Sequence, residues 1–131
     1  MIKFIEITFD EFIHRFPQHY VEQKYPVRYF VILNNDLEVG LFGIAQIEQG
    51  VADLSLKIFR EYRFKTLFKN NFIYIINYPF LLGFKKVIGW TKNKSLIKLL
   101  FRMKKYGVYS MDKKPTHDLD EDKFWYELVR K

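Results

Sequence analysis

The chain has 131 residues, 49% of them hydrophobic and 28% charged, proportions expected of one globular domain over residues 1–131 that buries about two thirds of its unfolded surface. It contains no cysteine, which excludes a disulfide scaffold, a thiolate zinc site and a cysteine nucleophile. The net charge of +7 suits a polyanionic partner, but the basic residues are scattered from Lys57 to Lys114 among apolar positions, and a bias toward Lys, Asn, Ile, Phe and Tyr from an AT-rich genome gives the same excess.

Ile2 to Thr8 has the alternation of a short strand. The stretch from Met1 to Glu6 lacks a basic region followed by an apolar block, so no signal peptide is expected. Thr8 or Asp10 then caps a helix running toward Lys24, with Phe12, Ile13, Phe16 and Tyr20 at helical spacing and Pro17 dividing it into two short turns. Val27 to Leu33 is rich in strand formers, and Asn34-Asn35-Asp36 is turn chemistry able to hold positive φ. Glu38 to Gln46 and Val51 to Phe59 follow, separated by Gln49-Gly50, which predicts an antiparallel meander of three strands. In the last of these Leu54, Leu56 and Ile58 share one side, and Asp53, Ser55 and Lys57 the other.

The period then changes. Leu67, Phe68, Phe72, Ile75, Ile76 and Phe80 make a helical stripe over residues 65–82, which Pro79 should kink or end and Gly83 should stop. Lys85 to Thr91 reads as a short buried strand; its lysines also end the best apolar run well short of the roughly 20 residues of a membrane span. Asn93 to Tyr106 reads as a second amphipathic helix, with Leu96, Ile97, Leu99, Leu100 and Met103 inward and Gly107 closing it. Strand–helix–strand of this kind implies a right-handed crossover to a parallel partner. Val108 to Met111 starts a strand, Asp112 to Asp122 is a charged loop, and Phe124 to Val129 is a closing strand. Its aromatic run suits either the sheet's inner face or pairing between subunits, so monomer and homodimer both stay open. The class implied is α+β with a mixed sheet.

Two local patterns sit in that order of elements. Ala52-Asp53-Leu54-Ser55-Leu56-Lys57-Ile58-Phe59-Arg60 is a strand running into a basic turn and then a helix, and Val87-Ile88-Gly89-Trp90-Thr91-Lys92-Asn93 is a strand ending at an Asn before a helix. Together they resemble the GNAT N-acetyltransferase superfamily, over nearly the whole chain by element order and at Arg60 and Asn93 by motif position. The resemblance implies a mixed, mostly antiparallel sheet with helices on both faces. It also implies that the first strand splays from its neighbour and pairs its backbone, at Leu56 and Ile58, with the pantetheine arm of acetyl-CoA. The turn after that strand, Q/R-x-x-G-x-G/A in the family, binds the pyrophosphate on backbone N–H groups at a helix N-terminus. Here Arg63 and Lys65 stand where both glycines belong, so phosphate would be held by side-chain charge in an altered cradle. The family's proton-donating tyrosine is also missing: its position falls on Leu100 or Met103, with Tyr106 and Tyr109 nearby. Small size and a degenerate turn are similar to GNAT-like proteins of tailed bacteriophages, which implies a cytoplasmic location in a host cell, or a virion, and a non-catalytic assembly role with a protein partner.

Asp53 is the candidate general base, taking a proton from an amine acceptor; the alternative is a solvent-facing strand carboxylate. Glu48 and Glu38 are weaker candidates. Arg60, Arg63 and Lys65, with Lys69 a turn later, would hold phosphates or form a solvated helix entry, and Thr66 would cap that helix or meet a phosphate. Asn93 would bond pantetheine or cap the following helix. Phe12, Phe16, Tyr20, Tyr25, Tyr29 and Phe30 cluster early, as an acceptor pocket under the resemblance or as core. His14, His19 and His117 share no metal-ligand spacing, and no P-loop, G-x-S-x-G or G-x-G-x-x-G occurs. Three functions follow: an acyl-CoA-dependent N-acetyltransferase, a non-catalytic interaction protein of the same fold, and a basic nucleic-acid binder, the last without any recognition motif.

Overall fold

The computed structural model describes residues 1–59, 66–92, 94–111 and 123–131, with side chains described at all of these except 66–71 and 95. Among the described residues the order is β1 (Ile2–Ile7), α1 (Phe9–Arg15), a 3-10 turn (Pro17–His19), β2 (Val27–Asn34), β3 (Leu37–Glu48), β4 (Val51–Ile58), α2 (Thr66–Leu81), β5 (Lys86–Thr91), α3 (Lys94–Arg102), β6 (Tyr106–Ser110) and β7 (Phe124–Arg130).

Thr8 is the cap of α1: its hydroxyl accepts from the Glu11 N–H at 3.1 Å, and Asp10 and Glu11 fill the first turn where the helix dipole favours them. The helix stops at Arg15, well before Lys24. Pro17 permits one 3-10 turn and residues 20–26 carry no regular helix. Between β2 and β3, Asn35 and Asp36 adopt φ of 49° and 67°, the two left-handed residues of a type I′ hairpin turn. Gly50 closes the next hairpin at φ 77°.

The strands form one sheet in the order β1-β2-β3-β4-β5-β7-β6. Every pairing is antiparallel except β4 with β5, the parallel contact expected from the crossover through α2. Phe30 and Ile32 of β2 enter the core on the α2–α3 side with Phe42, Phe72, Ile76 and Leu100. Val31, between them, packs with Leu41 against Phe12 of α1 and Phe16 just after it on the opposite face. A strand covered on both faces reads as a continuous apolar run, which is what β2 is.

Of two expected helix ends, one lies where Pro79 and Gly83 put it and the other does not. Pro79 sits in the last turn of α2, which continues to Leu81. The N–H groups of Leu82 and Phe84 both donate to the Pro79 carbonyl at 3.1 Å, so the helix closes just after the proline. α3 ends at Arg102, and Gly107 lies inside β6, not at a helix cap. Tertiary packing decides this. Tyr106 is buried, stacked on Phe80 at 5.1 Å, and its hydroxyl donates to Asn77 Oδ1, which draws the chain into the sheet at that residue. No helix of the described residues is long and apolar enough to cross a membrane.

Candidate functional site

β4 and β5 are paired over only three registers, Val51↔Lys86, Ala52↔Val87 and Asp53↔Ile88. Beyond Asp53 the strands part. β4 runs on to Ile58 bonded to β3 alone, and β5 runs on through Gly89, Trp90 and Thr91 bonded to β7. Among the described residues, the outer backbone edge of 54–57 therefore lies inside the sheet with no strand on it, a template for an extended ligand.

Asp53 stands at the last paired register, with Ala45 on one side and Ile88 on the other. Burial pushes its carboxyl up to a pKa of about 6, because removing water disfavours the charged form. The side chain is half-buried, neither enclosed in the core nor fully open to solvent.

On the opposite side of the fork lies a group that strand periodicity alone does not single out. Tyr126 of β7 pairs with Gly89, and a Cβ at Gly89 would meet the Tyr126 Oη at 2.6 Å and the Leu54 carbonyl oxygen at 3.2 Å. The hydroxyl and the first unpaired residue of β4 thus face the same small space. Burial, with the Asp53 carboxylate adding to it, raises the Tyr126 pKa far above the ordinary tyrosine range, so the hydroxyl keeps its proton. Tyr106, the nearer candidate in sequence, is committed to Asn77 in the core, whereas Tyr109 is exposed on β6. Leu100 and Met103 are core residues.

Leu56 and Ile58 turn their side chains toward the α2 core, half-buried, and the Leu56 backbone lies on the open edge. Thr66 is the first residue of α2. Arg60, Arg63, Lys65 and Asn93 lie outside the described residues, as does the side chain of Thr66. Glu38 is held by Arg15 and Glu48 ends β3, so neither is at the fork.

A pocket of about 270 Å³ adjoins β4 on the α1 face, walled by Phe12, His19, Tyr29, Gly43, Ser55 and Lys57 among others. Phe12 and Tyr29 stack at 3.8 Å in this wall, and His19 stacks on Phe59 at 6.2 Å. The early aromatic cluster divides accordingly: Phe12, Phe16 and Phe30 are core, Tyr29 lines the pocket, and Tyr20 and Tyr25 are exposed.

No protein-family model matches the chain, and no curated protein matches it in sequence. Solved structures do match in shape. A chimera of the Vibrio cholerae spermidine N-acetyltransferase SpeG and hSSAT is 11% identical, with a TM-score of 0.71 over 98% of this chain and 95% of that one. The V. cholerae enzyme in complex with CoA and spermine is 14% identical, with a TM-score of 0.68 over 98% of this chain and 95% of that one. The Campylobacter jejuni N-acetyltransferase PseH in complex with acetyl coenzyme A is 16% identical, with a TM-score of 0.62 over the whole of both chains. With its forked mixed sheet and a helix layer on each face, this chain has the α+β fold of the GNAT N-acetyltransferases.

Proposed function

We propose that the chain is an acyl-CoA-dependent N-acetyltransferase that holds acetyl-CoA along the open edge of β4 and receives a primary amine from the pocket beside α1. The observation that carries this reading is the parting of β4 and β5 immediately after Asp53, with a half-buried carboxyl on one side of the fork and a buried tyrosine on the other. That similarly folded N-acetyltransferases from C. jejuni and V. cholerae hold acetyl-CoA, or CoA with spermine, supports the ligand class.

Acetyl-CoA, when bound, supplies an acyl group activated as a thioester. The backbone of residues 54–57 gives an extended arm the pairing that β5 leaves unused. Arg60, Arg63, Lys65 and Thr66 are assigned to its phosphates and Asn93 to the pantetheine across the fork. The Asp53 carboxylate takes the proton of the incoming ammonium, and a pKa of about 6 leaves it ionised yet usefully basic near neutral pH. Tyr126 Oη holds a proton for the departing sulfur. The remaining rate comes from orienting the two reactants against each other at the fork.

Calorimetric titration with acetyl-CoA and CoA, for the native chain and Arg63→Glu, tests the reading, followed by thiol release with a panel of primary amines. Micromolar binding that Arg63→Glu abolishes, together with amine-dependent release, supports it. Binding without release to any amine would leave a non-catalytic interaction protein, and no binding at millimolar ligand would overturn the reading.

A further inference from the structure

A second cavity, of about 420 Å³, opens beside the start of β2 and is lined chiefly by Phe9, Tyr20, Gln23, Lys24, Tyr25 and Tyr29. It shares Tyr29 with the pocket beside β4, but no residue of β4 lines it, so it is separate from the fork. We propose that this cavity binds a small aromatic carboxylate: a flat ring among the four aromatic side chains, with its negative charge at Lys24.

The size falls within that of small-molecule sites. Phe9 meets Tyr20 edge-on at 5.9 Å and Tyr29 at 6.4 Å, so the walls are already arranged at aromatic packing distances. Yet Phe9, Tyr20 and Tyr25 are 52%, 44% and 37% exposed. Three large rings around one concavity are left uncovered, which costs free energy that an inserted ring would recover.

Charge decides the ligand's sign. Ring clusters attract cations, but here the chain's own Lys24 Nζ stands 5.5 Å from the Tyr25 ring centre, and no carboxylate is among the lining residues. A second ammonium would meet Lys24 with like charge. A carboxylate would gain an ion pair with it, and the ring faces would be taken by stacking.

Indole-3-acetate and tryptamine carry the same ring with opposite charges, and neither test depends on acetyl transfer. Saturation-transfer NMR and calorimetry on the full chain would compare the two on the native protein, Tyr20→Ala and Lys24→Glu. The expected result is indole-3-acetate binding at least about tenfold tighter than tryptamine, weakened by Tyr20→Ala and reversed in preference by Lys24→Glu, with circular dichroism unchanged because both positions are exposed. Equal or tighter tryptamine binding to the native chain that Tyr20→Ala weakens, which places it in this cavity and not in the amine pocket beside β4, would overturn the proposal. So would an unchanged order in Lys24→Glu, or no saturable indole-3-acetate binding up to about 10 mM. Acetyl-CoA titration of the same samples reads the fork independently, so failure at one site is distinguishable from failure at the other.

Discussion

Gly89 is fitted against Tyr126: a side-chain carbon on it would stand 2.6 Å from the tyrosine Oη and 2.8 Å from the ring carbon bearing that oxygen. The Tyr126 ring is buried and has little room to retreat. Gly89→Ala is therefore expected to cost about 1–3 kcal/mol of stability and to move the hydroxyl away from the fork. Denaturant melts would read the first effect, and thiol release from acetyl-CoA the second.

Tyr126→Phe keeps the ring and deletes only the hydroxyl. The expected outcome is a fall in kcat of about 10²-fold with acetyl-CoA affinity unchanged, measured by steady-state kinetics beside calorimetry. An unchanged kcat would remove Tyr126 from the reaction.

Asp53 gives a pH signature of definite sign. Its carboxyl titrates at about 6 in the fold against an ordinary 3.8, so between those values the folded chain holds a proton that the unfolded chain has released. Stability contributed by this group is present below the ordinary value and falls as pH rises through about 4 to 6, by up to about 3 kcal/mol. Asp53→Asn is expected to melt higher than the native chain at pH 7 and to match it near pH 3.5, while its acetyl transfer drops by about 10²-fold or more. Melts across that pH range and the kinetics of one variant check both halves.

The core beside the fork rests on stacked rings. Phe42 lies 4.9 Å from Phe30, 5.0 Å from Phe4 and 5.8 Å from Tyr78, tying β1, β2 and β3 to α2. Phe42→Ala is expected to lower unfolding free energy by about 3–5 kcal/mol, read from a shift of the urea midpoint at constant slope.

What the sequence made legible was whatever local chemistry controls. Asn35-Asp36 and Gly50 punctuate the meander because few residues accept positive φ, and Asp53 stands out because strand alternation puts it opposite Leu54. Gly107 looked like a helix stop for an equally local reason, a glycine after a lysine-rich helical pattern, and the burial of Tyr106 overrode it. Tyr126 was hidden more deeply. Three aromatics in a row in β7 alternate between faces, but which ring meets the fork depends on β7 inserting between β5 and β6, an order that no run of neighbouring residues encodes. Burial of Asp53 is likewise a product of β5 lying alongside it, and Glu38 lost its candidacy to Arg15, a partner 23 residues away.

The three-register seam between β4 and β5 also divides the sheet mechanically. On one side, β1 to β4 are joined by successive neighbours in the chain, which close with little loop entropy and form quickly. On the other, β5, β7 and β6 assemble out of order and dock across Val51–Lys86, Ala52–Val87 and Asp53–Ile88. Two cooperative units meeting at so short a seam should open against each other before either unfolds. An arm laid into the fork would rivet them, so amide exchange at Ile88 and Gly89 should slow on adding acetyl-CoA while exchange at Val31 stays as it was.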